Sequence, residues 1–418
     1  MRILTRATLP GIAEGEIDVP SETLTFLVAT ERGAPAELTE ERTKAAVPFG
    51  GKYRVVDFSL ANCLHSGLRQ ILVLTQYRSH SLHKHLRDGW SLFNAELGEF
   101  ITPLPPQMRA DGGWYLGLVD ALRQNRYLIE RNPARRLLLL DGGAVYRMDY
   151  AELLRFHDEQ QAQVTAALRT VTENSAPSAY RVECSEDHRI TGLLGPIGEH
   201  SPTGLAPMGV LVIGKDYLLE QLDHLVRVGN GHAEMDFVAT LLQASGAARA
   251  VGYRFGGERG RVSQDGYWSD LGSVDAYYQA HMSLLEARPA LDLYQPGWNI
   301  LTYQGQYPPA RTVPGPNSGN EGVFVNSMLA SGALICGGAV NRSVLSPCVK
   351  VDDGAIVDGA ILFDRVHVGA GAELNRCILD KDVVVSPGAR IGFDRKEDRA
   401  RFSVSPEGVV VVPKDARV

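Results

Sequence analysis

The chain has 418 residues, of which 44% are hydrophobic and 22% charged, with a net charge of −7. That length exceeds one ordinary core and implies two domains, and the acidic balance argues against nucleic acid or an anionic membrane surface as the main partner. No apolar run approaches the roughly 20 residues of a membrane helix, and the first residues, with Arg2, Arg6, Pro10, Glu14 and Glu16, lack a signal peptide's apolar centre. Five scattered cysteines (Cys63, Cys184, Cys336, Cys348, Cys377) show no C-x-x-C spacing, which fits reduced thiols in a cytoplasmic protein and no zinc site.

Residues 1–23 read as an N-terminal extension. From 24 to 285 strand-like and helix-like stretches alternate. Leu24–Ala29, Gln70–Leu74, Arg136–Leu140, Gln163–Thr170 and Gly209–Ile213 predict strands. Ser59–Ser66, Leu118–Glu130, Tyr150–Glu159 and Asp236–Ala244 predict helices. The alternation implies βαβ units and a mainly parallel sheet, with ligands beyond the carboxyl ends of its strands.

Pro and Gly density from Pro308 to Gly322 marks a linker region, placed at 286–325. From 326 to 418 the pattern changes. Leu334, Val351, Val368 and Val385 recur every 17 residues, and Val340, Val357, Leu374 and Ile391 follow six residues after each. Ser343-Val344-Leu345, Ala360-Ile361-Leu362 and Cys377-Ile378-Leu379 form a third set. Three inward aliphatic positions per coil predict a three-sided parallel β-helix. His367 is the one histidine among the coils, and no extended arm accompanies it, so an acyltransferase reading has little support.

Particular blocks carry a resemblance. Phe49-Gly50-Gly51-Lys52-Tyr53-Arg54-Val55-Val56-Asp57-Phe58, Thr75-Gln76-Tyr77, Gly89-Trp90-Ser91, Trp114-Tyr115 with Gly117 and Asp120, and Tyr267-Trp268 with Asp270 fall in one order over about residues 24–412. The sequence resembles the bacterial ADP-glucose pyrophosphorylase (glucose-1-phosphate adenylyltransferase) family. The resemblance implies an α/β fold: a Rossmann-like nucleotidyltransferase domain followed by a C-terminal left-handed parallel β-helix, usually in a tetramer. It also implies the joining of ATP and glucose 1-phosphate with help from Mg²⁺, a reaction of two anions that depends on positioning and neutralisation.

Much of the machinery that the resemblance implies is altered. The family's Gly-rich G-G-x-G-T-R-L loop corresponds to Ala29-Thr30-Glu31-Arg32-Gly33-Ala34-Pro35, so its Arg becomes Ala34. The first of two Mg²⁺-binding aspartates aligns with Gly143, while the second persists as Asp270. Asp141 replaces the first only if the strand end shifts by two residues, and otherwise is a turn residue. The Lys of an E-K-P motif falls at Pro196, Pro207 stands in place of a Ser, and Leu116 in place of an Arg. No catalytic set is intact.

Lys44, Gln76, Tyr115, Gly117, Asp120 and Asp236 remain as substrate-binding candidates, and Asp270 as a metal ligand. Each has a bracing alternative, such as Asp120 capping a helix. Arg42, Arg54 and Arg401 match an effector pocket for a phosphorylated or carboxylated metabolite, although Glu41 and Pro48 replace two family basic positions. Arg42 and Arg54 have an alternative as partners of Glu40 or Asp57.

The function expected is a non-catalytic or weakly catalytic regulatory subunit in glycogen synthesis. Its partner would be a catalytic ADP-glucose pyrophosphorylase paralogue, or else it forms a homo-oligomer. An active adenylyltransferase and a sugar-phosphate or nucleotide sensor are the alternatives.

Overall fold

Alternating apolar side chains build the central sheet. Leu24 and Phe26 pack with Leu137 and Leu139 on one face, while Leu27 packs with Leu138 and Leu140 on the other. A strand with both faces covered reads as a continuous apolar run, as Leu137–Leu140 does. The computed structural model describes residues 22–418, except 31–32, 108–112, 173–179, 196–202, 228–236, 244–248, 258–261 and 263–265.

Among the described residues nine strands form this sheet: β1 (Thr23–Ala29), β2 (Gln70–Thr75), β3 (Phe100–Leu104), β4 (Arg136–Asp141), β5 (Val164–Thr172), β6 (Arg181–Cys184), β7 (Ile190–Leu194), β8 (Thr203–Gly214) and β9 (Ala250–Arg254). Their order is β7-β6-β8-β4-β1-β2-β3, with β5 pairing β8 and β9. The β4-β1-β2-β3 block is parallel, and β8 runs antiparallel to β4 and β5.

All five predicted strands are present. Gly209–Ile213 forms part of the longer β8, whose register shifts between Pro207 and Leu211. β3 and β9 escape the sequence pattern because Pro103 and Gly252 interrupt them, and Pro is tolerated at the sheet edge that β3 occupies. The predicted helix Leu118–Glu130 is two helices, Leu118–Gln124 and Arg126–Arg131. Asn125 separates them and donates to Tyr115 Oη (3.0 Å) and Ala121 O (2.9 Å). Ser59–Ser66 belongs to a helix that starts earlier, at Val55, and Tyr150–Glu159 has the predicted bounds.

The C-terminal strands stack into three sheets, one per side of a β-helix, parallel except where Ser403–Val404 pairs antiparallel with Val410–Val412. Val340, Val357, Leu374 and Ile391 align as predicted. At the first position the inward residue is Ile335 rather than Leu334, since Ile335 pairs Val351. The corner at Gly337-Gly338 is one residue shorter than its successors. The ladder already includes Arg311–Val313 and Val323–Val325, within the predicted linker range.

The two parts share one core. Ile361, Phe363, Ile378, Val409 and Val411 of the solenoid join the α/β cluster around Phe49, Phe58 and Tyr277. The helix Val274–Ser283 is the seam: Tyr278 Oη donates to Gly359 O (2.7 Å), and Asp275 accepts from Ser405 Oγ and Glu407 N. The intervening segment is also anchored, since Trp298 Nε1 donates to Asn62 Oδ1 (2.9 Å) and Thr302 Oγ1 to Asp57 Oδ2 (2.7 Å).

Candidate active site

The carboxyl ends of β1, β2 and β4 bring Ala29, Thr75 and Asp141 together, where open α/β sheets place their ligands. The chain leaving β1 passes Gly33, exposed Ala34 and Pro35 into a single-turn helix, Ala36–Thr39. A phosphate cradle needs a row of free backbone N–H groups. Pro35 has none, and a single turn of helix adds little dipole. Thr39 Oγ1 closes the turn onto Gly33 O (3.0 Å) and Pro35 O (3.1 Å).

Lys44 follows, with its stem packed against two glycines. A Cβ at Gly33 would lie 2.8 Å from Lys44 Cδ, and one at Gly143 would lie 3.1 Å from the same atom. The Gly143 position therefore suits the Lys44 stem, and an acid there has to displace it.

Asp141 performs two tasks. It makes the turn after β4, its Oδ1 accepting from Gly143 N (2.8 Å). The same oxygen lies 3.2 Å from the point where a Gly143 side chain would begin. The turn thus brings the Asp141 carboxylate beside position 143.

Asp141 is solvent-exposed at the strand end. Burial holds its carboxyl above the usual range; the Gly143 amide and Lys44 oppose that shift, and Asp270 reinforces it. Asp270 forms a matching turn, its Oδ1 accepting from Gly272 N (3.0 Å). Arg169, on β5, completes the group. Its guanidinium lies 4.1 Å from the Trp268 ring centroid, and burial lowers its pKa while Asp270 raises it. Two carboxylates and two cations thus share the cleft.

The other retained residues brace the walls. Gln76 bonds both backbone groups of Tyr115: Nε2 donates to Tyr115 O (3.2 Å), and Oε1 accepts from Tyr115 N. Tyr115 Oη donates to Leu104 O (3.2 Å). Gly117, at φ +138°, leads into the helix Leu118–Gln124. Asp120 Oδ2 accepts from Leu116 N (3.1 Å) and Gln124 Nε2 (2.9 Å). Gln76, Tyr115 and Asp120 are thus tied to neighbouring backbone. Asp236 and Pro196 lie outside the described residues.

The nucleotidyl transferase family model matches residues 36–287, and the GlmU-like C-terminal hexapeptide model matches 308–412. A Vibrio cholerae protein named glucose-1-phosphate adenylyltransferase 2 is 45% identical over 94% of this chain and 98% of its own length. A Vibrio vulnificus protein of the same name shows 45% identity over the same shares. A Yersinia pseudotuberculosis glucose-1-phosphate adenylyltransferase is 36% identical over 95% of both chains. The chain belongs to the glucose-1-phosphate adenylyltransferase family. Its fold is accordingly a nucleotidyltransferase domain with a left-handed β-helix.

For a family that the resemblance links to Mg²⁺, the donor set matters. Among the described residues no group of three or more His, Cys, Asp or Glu side chains gathers for a metal. Mg²⁺ needs only one or two carboxylates when phosphates supply the rest. Asp141 and Asp270 fit that demand as a pair, since each ties only Oδ1 into its turn.

The three arginines matched to the family's effector pocket are not equivalent. Arg42 is buried and bidentate on Asp380, with Nη1 at 3.0 Å and Nη2 at 2.9 Å. Its partner is thus neither Glu40 nor Asp57. Arg54 Nη1 donates to Ser81 O (3.2 Å) and Ala46 O (3.4 Å), while its backbone N donates to Asp57 Oδ2 (2.8 Å). Arg401 pairs with Glu397 (3.8 Å) and lies over Phe402.

Sequence reasoning misses Arg169, Asp364, Asp380 and Lys381. A charge directly after the apolar strand run 164–168, within β5, signals Arg169. Asp364 and Lys381 stand 17 residues apart, the coil period, and pair directly.

Proposed function

We propose that the chain is a non-catalytic or weakly catalytic regulatory member of the glucose-1-phosphate adenylyltransferase family, acting beside a catalytic paralogue in ADP-glucose synthesis. The observation that supports this reading is the segment after β1. Gly33-Ala34-Pro35 enters a one-turn helix, with Ala34 where the resemblance places the phosphate-gripping Arg. Loss of one preorganised donor commonly costs ~10²–10³ in rate, and several losses together approach background. The proposed residual role of the cleft is to hold a phosphorylated sugar or nucleotide through Lys44, between Asp141 and Asp270.

The test measures pyrophosphate release from ATP and glucose 1-phosphate by the purified chain, by a catalytic paralogue, and by both together. Background rates alone and a shifted effector curve in the mixture are expected. Robust turnover by the lone chain would overturn the reading, and an unchanged curve in the mixture would remove its regulatory part.

One observation favours a second reading, an active adenylyltransferase. Asp141 brings a carboxylate beside position 143 and in electrostatic range of Asp270. Bound there, Mg²⁺ would neutralise phosphate charge. In that case Asp141→Asn and Asp270→Asn each abolish turnover by the lone chain.

A further inference from the structure

Two short strands set the positions of both cleft carboxylates. Val145–Tyr146 pairs antiparallel with Trp268–Ser269, Tyr146 opposite Trp268 and Val145 opposite Ser269. The turn made by Asp141 runs into the first strand, and Asp270 follows the second directly. One ladder therefore holds Asp141 and Asp270 at the same end.

Arg169 reaches that end from β5. Its strand pairs it with Ala206 of β8, and on β8 Met208 O accepts from Trp268 Nε1 (3.3 Å). The Trp268 ring is thereby anchored, and the Arg169 guanidinium lies 4.1 Å from its centroid. Stacking engages the face of a guanidinium, whereas its N–H donors lie in its plane. A strand position that served packing alone would be met by an apolar side chain, as at Ala166, Ala167 and Leu168. Arg169 is instead 8% exposed, and Asp270 is the counter-charge that acts on it. A guanidinium stays protonated in such a place, so its charge is permanent.

Two carboxylates on their own repel a phosphate and call for a divalent cation between them. Here positive charge is built into the chain: Arg169 beside Trp268 and Asp270, and Lys44 packed against Gly143. We propose that Arg169 stands in for the metal: by neutralising Asp270 it lets the cleft hold a phosphate monoester without a divalent cation, and it competes with such a cation for the same carboxylate. The proposal rests on the reading that the cleft keeps a phosphorylated ligand, and it adds that this hold does not depend on metal.

Two measurements on the full chain test it. Electron paramagnetic resonance with Mn²⁺ reads the competition. Arg169→Gln tightens Mn²⁺ binding by about tenfold, the effect of removing one like charge from a partly desolvated site. Arg169→Lys, which keeps the charge, stays within about threefold of wild type. Calorimetric titration with glucose 1-phosphate in EDTA reads the substitution for metal. Wild type binds, and added Mg²⁺ leaves its affinity within about twofold, because the charge that a metal brings is already present. Arg169→Gln weakens binding in EDTA by about tenfold, the loss of one charge-assisted contact, and Mg²⁺ restores part of that loss. Asp270→Asn binds in EDTA as tightly as wild type or more so.

Mn²⁺ affinity that ignores Arg169→Gln overturns the proposal. Where that variant folds poorly, Asp270→Asn decides, because loss of glucose 1-phosphate binding in EDTA there also overturns it. Wild-type binding that requires Mg²⁺ sinks the metal substitution alone, whereas no binding under either condition sinks the phosphorylated-ligand reading with it. Regulation is read separately, on the mixture with a paralogue.

Discussion

The Asp141 carboxylate lies 3.2 Å from the point where a side chain on Gly143 would begin, and it accepts the Gly143 amide at 2.8 Å. A glycine thus stands where the resemblance places an acid, and the turn holds the Asp141 carboxylate beside it. Asp141→Asn keeps the turn-forming oxygen and removes the charge. With Mn²⁺ as a probe for Mg²⁺, electron paramagnetic resonance should show at least tenfold weaker binding for Asp141→Asn and for Asp270→Asn, since hard cations depend on ionised oxygen ligands (a factor of about ten per carboxylate). Binding that ignores either substitution removes the pair as a metal anchor.

The same residue carries a pH signature. Burial, with Asp270 reinforcing it, raises the Asp141 pKa above its ordinary 3.8. The folded state then holds the proton more tightly than the unfolded state. The stabilising contribution is fully present below 3.8 and is lost as pH rises through the higher folded value. Asp141→Asn has no such loss. Its melting temperature relative to wild type should therefore be more favourable at pH 7 than at pH 4. A difference of the opposite sign would show that Lys44 dominates burial at this carboxylate.

His281 behaves in the reverse way. It sits wholly inside the seam, where Gly50 N donates to Nε2 (3.1 Å) and Nδ1 faces Tyr277 O (3.0 Å), so the ring is held neutral. Burial lowers its pKa from 6.5 to about 4. His157, bonded to Thr165 Oγ1, is lowered to about 4 as well. Below 6.5 the unfolded chain takes up protons that the folded chain refuses. Stability is thus complete above pH 6.5 and falls as pH drops toward about 4. Urea midpoints across that window should decline with two protons' steepness, and His281→Gln should remove one of them. A flat profile in wild type would contradict the buried neutral rings.

The fold was legible where period and chemistry agree. Val340, Val357, Leu374 and Ile391 declare one side of the solenoid, because inward positions tolerate little but aliphatic side chains. Leu334 misleads because the shorter corner at Gly337-Gly338 slips the inward position to Ile335, and such a slip leaves no mark on composition. The site was less legible. The resemblance assigns an acid to position 143, and only the folded turn shows that the Asp141 carboxylate lies beside that glycine. Asp120 and Gln76, expected as ligands from the resemblance, also accept from and clamp the backbone of Leu116 and Tyr115, contacts that no sequence pattern announces. Arg42 matches an anion pocket, but its partner, Asp380, lies 338 residues away, a distance that no local pattern spans.

That pair is a buried link between the domains. Both side chains are almost wholly buried, at 5% and 6% exposure, and the geometry is bidentate. Asp380→Ala leaves a guanidinium buried without its counter-charge, and breaking a buried pair in this way costs about 3–5 kcal/mol. Replacing both partners with apolar residues, as in Arg42→Met/Asp380→Leu, removes the unpaired charge and should cost far less than the single change. Urea denaturation of the two single variants and the double variant measures this cycle. A double variant as unstable as the sum of the singles would mean that the two residues do not interact energetically, and the seam would then rest on its apolar contacts, chiefly Tyr277 against Phe363.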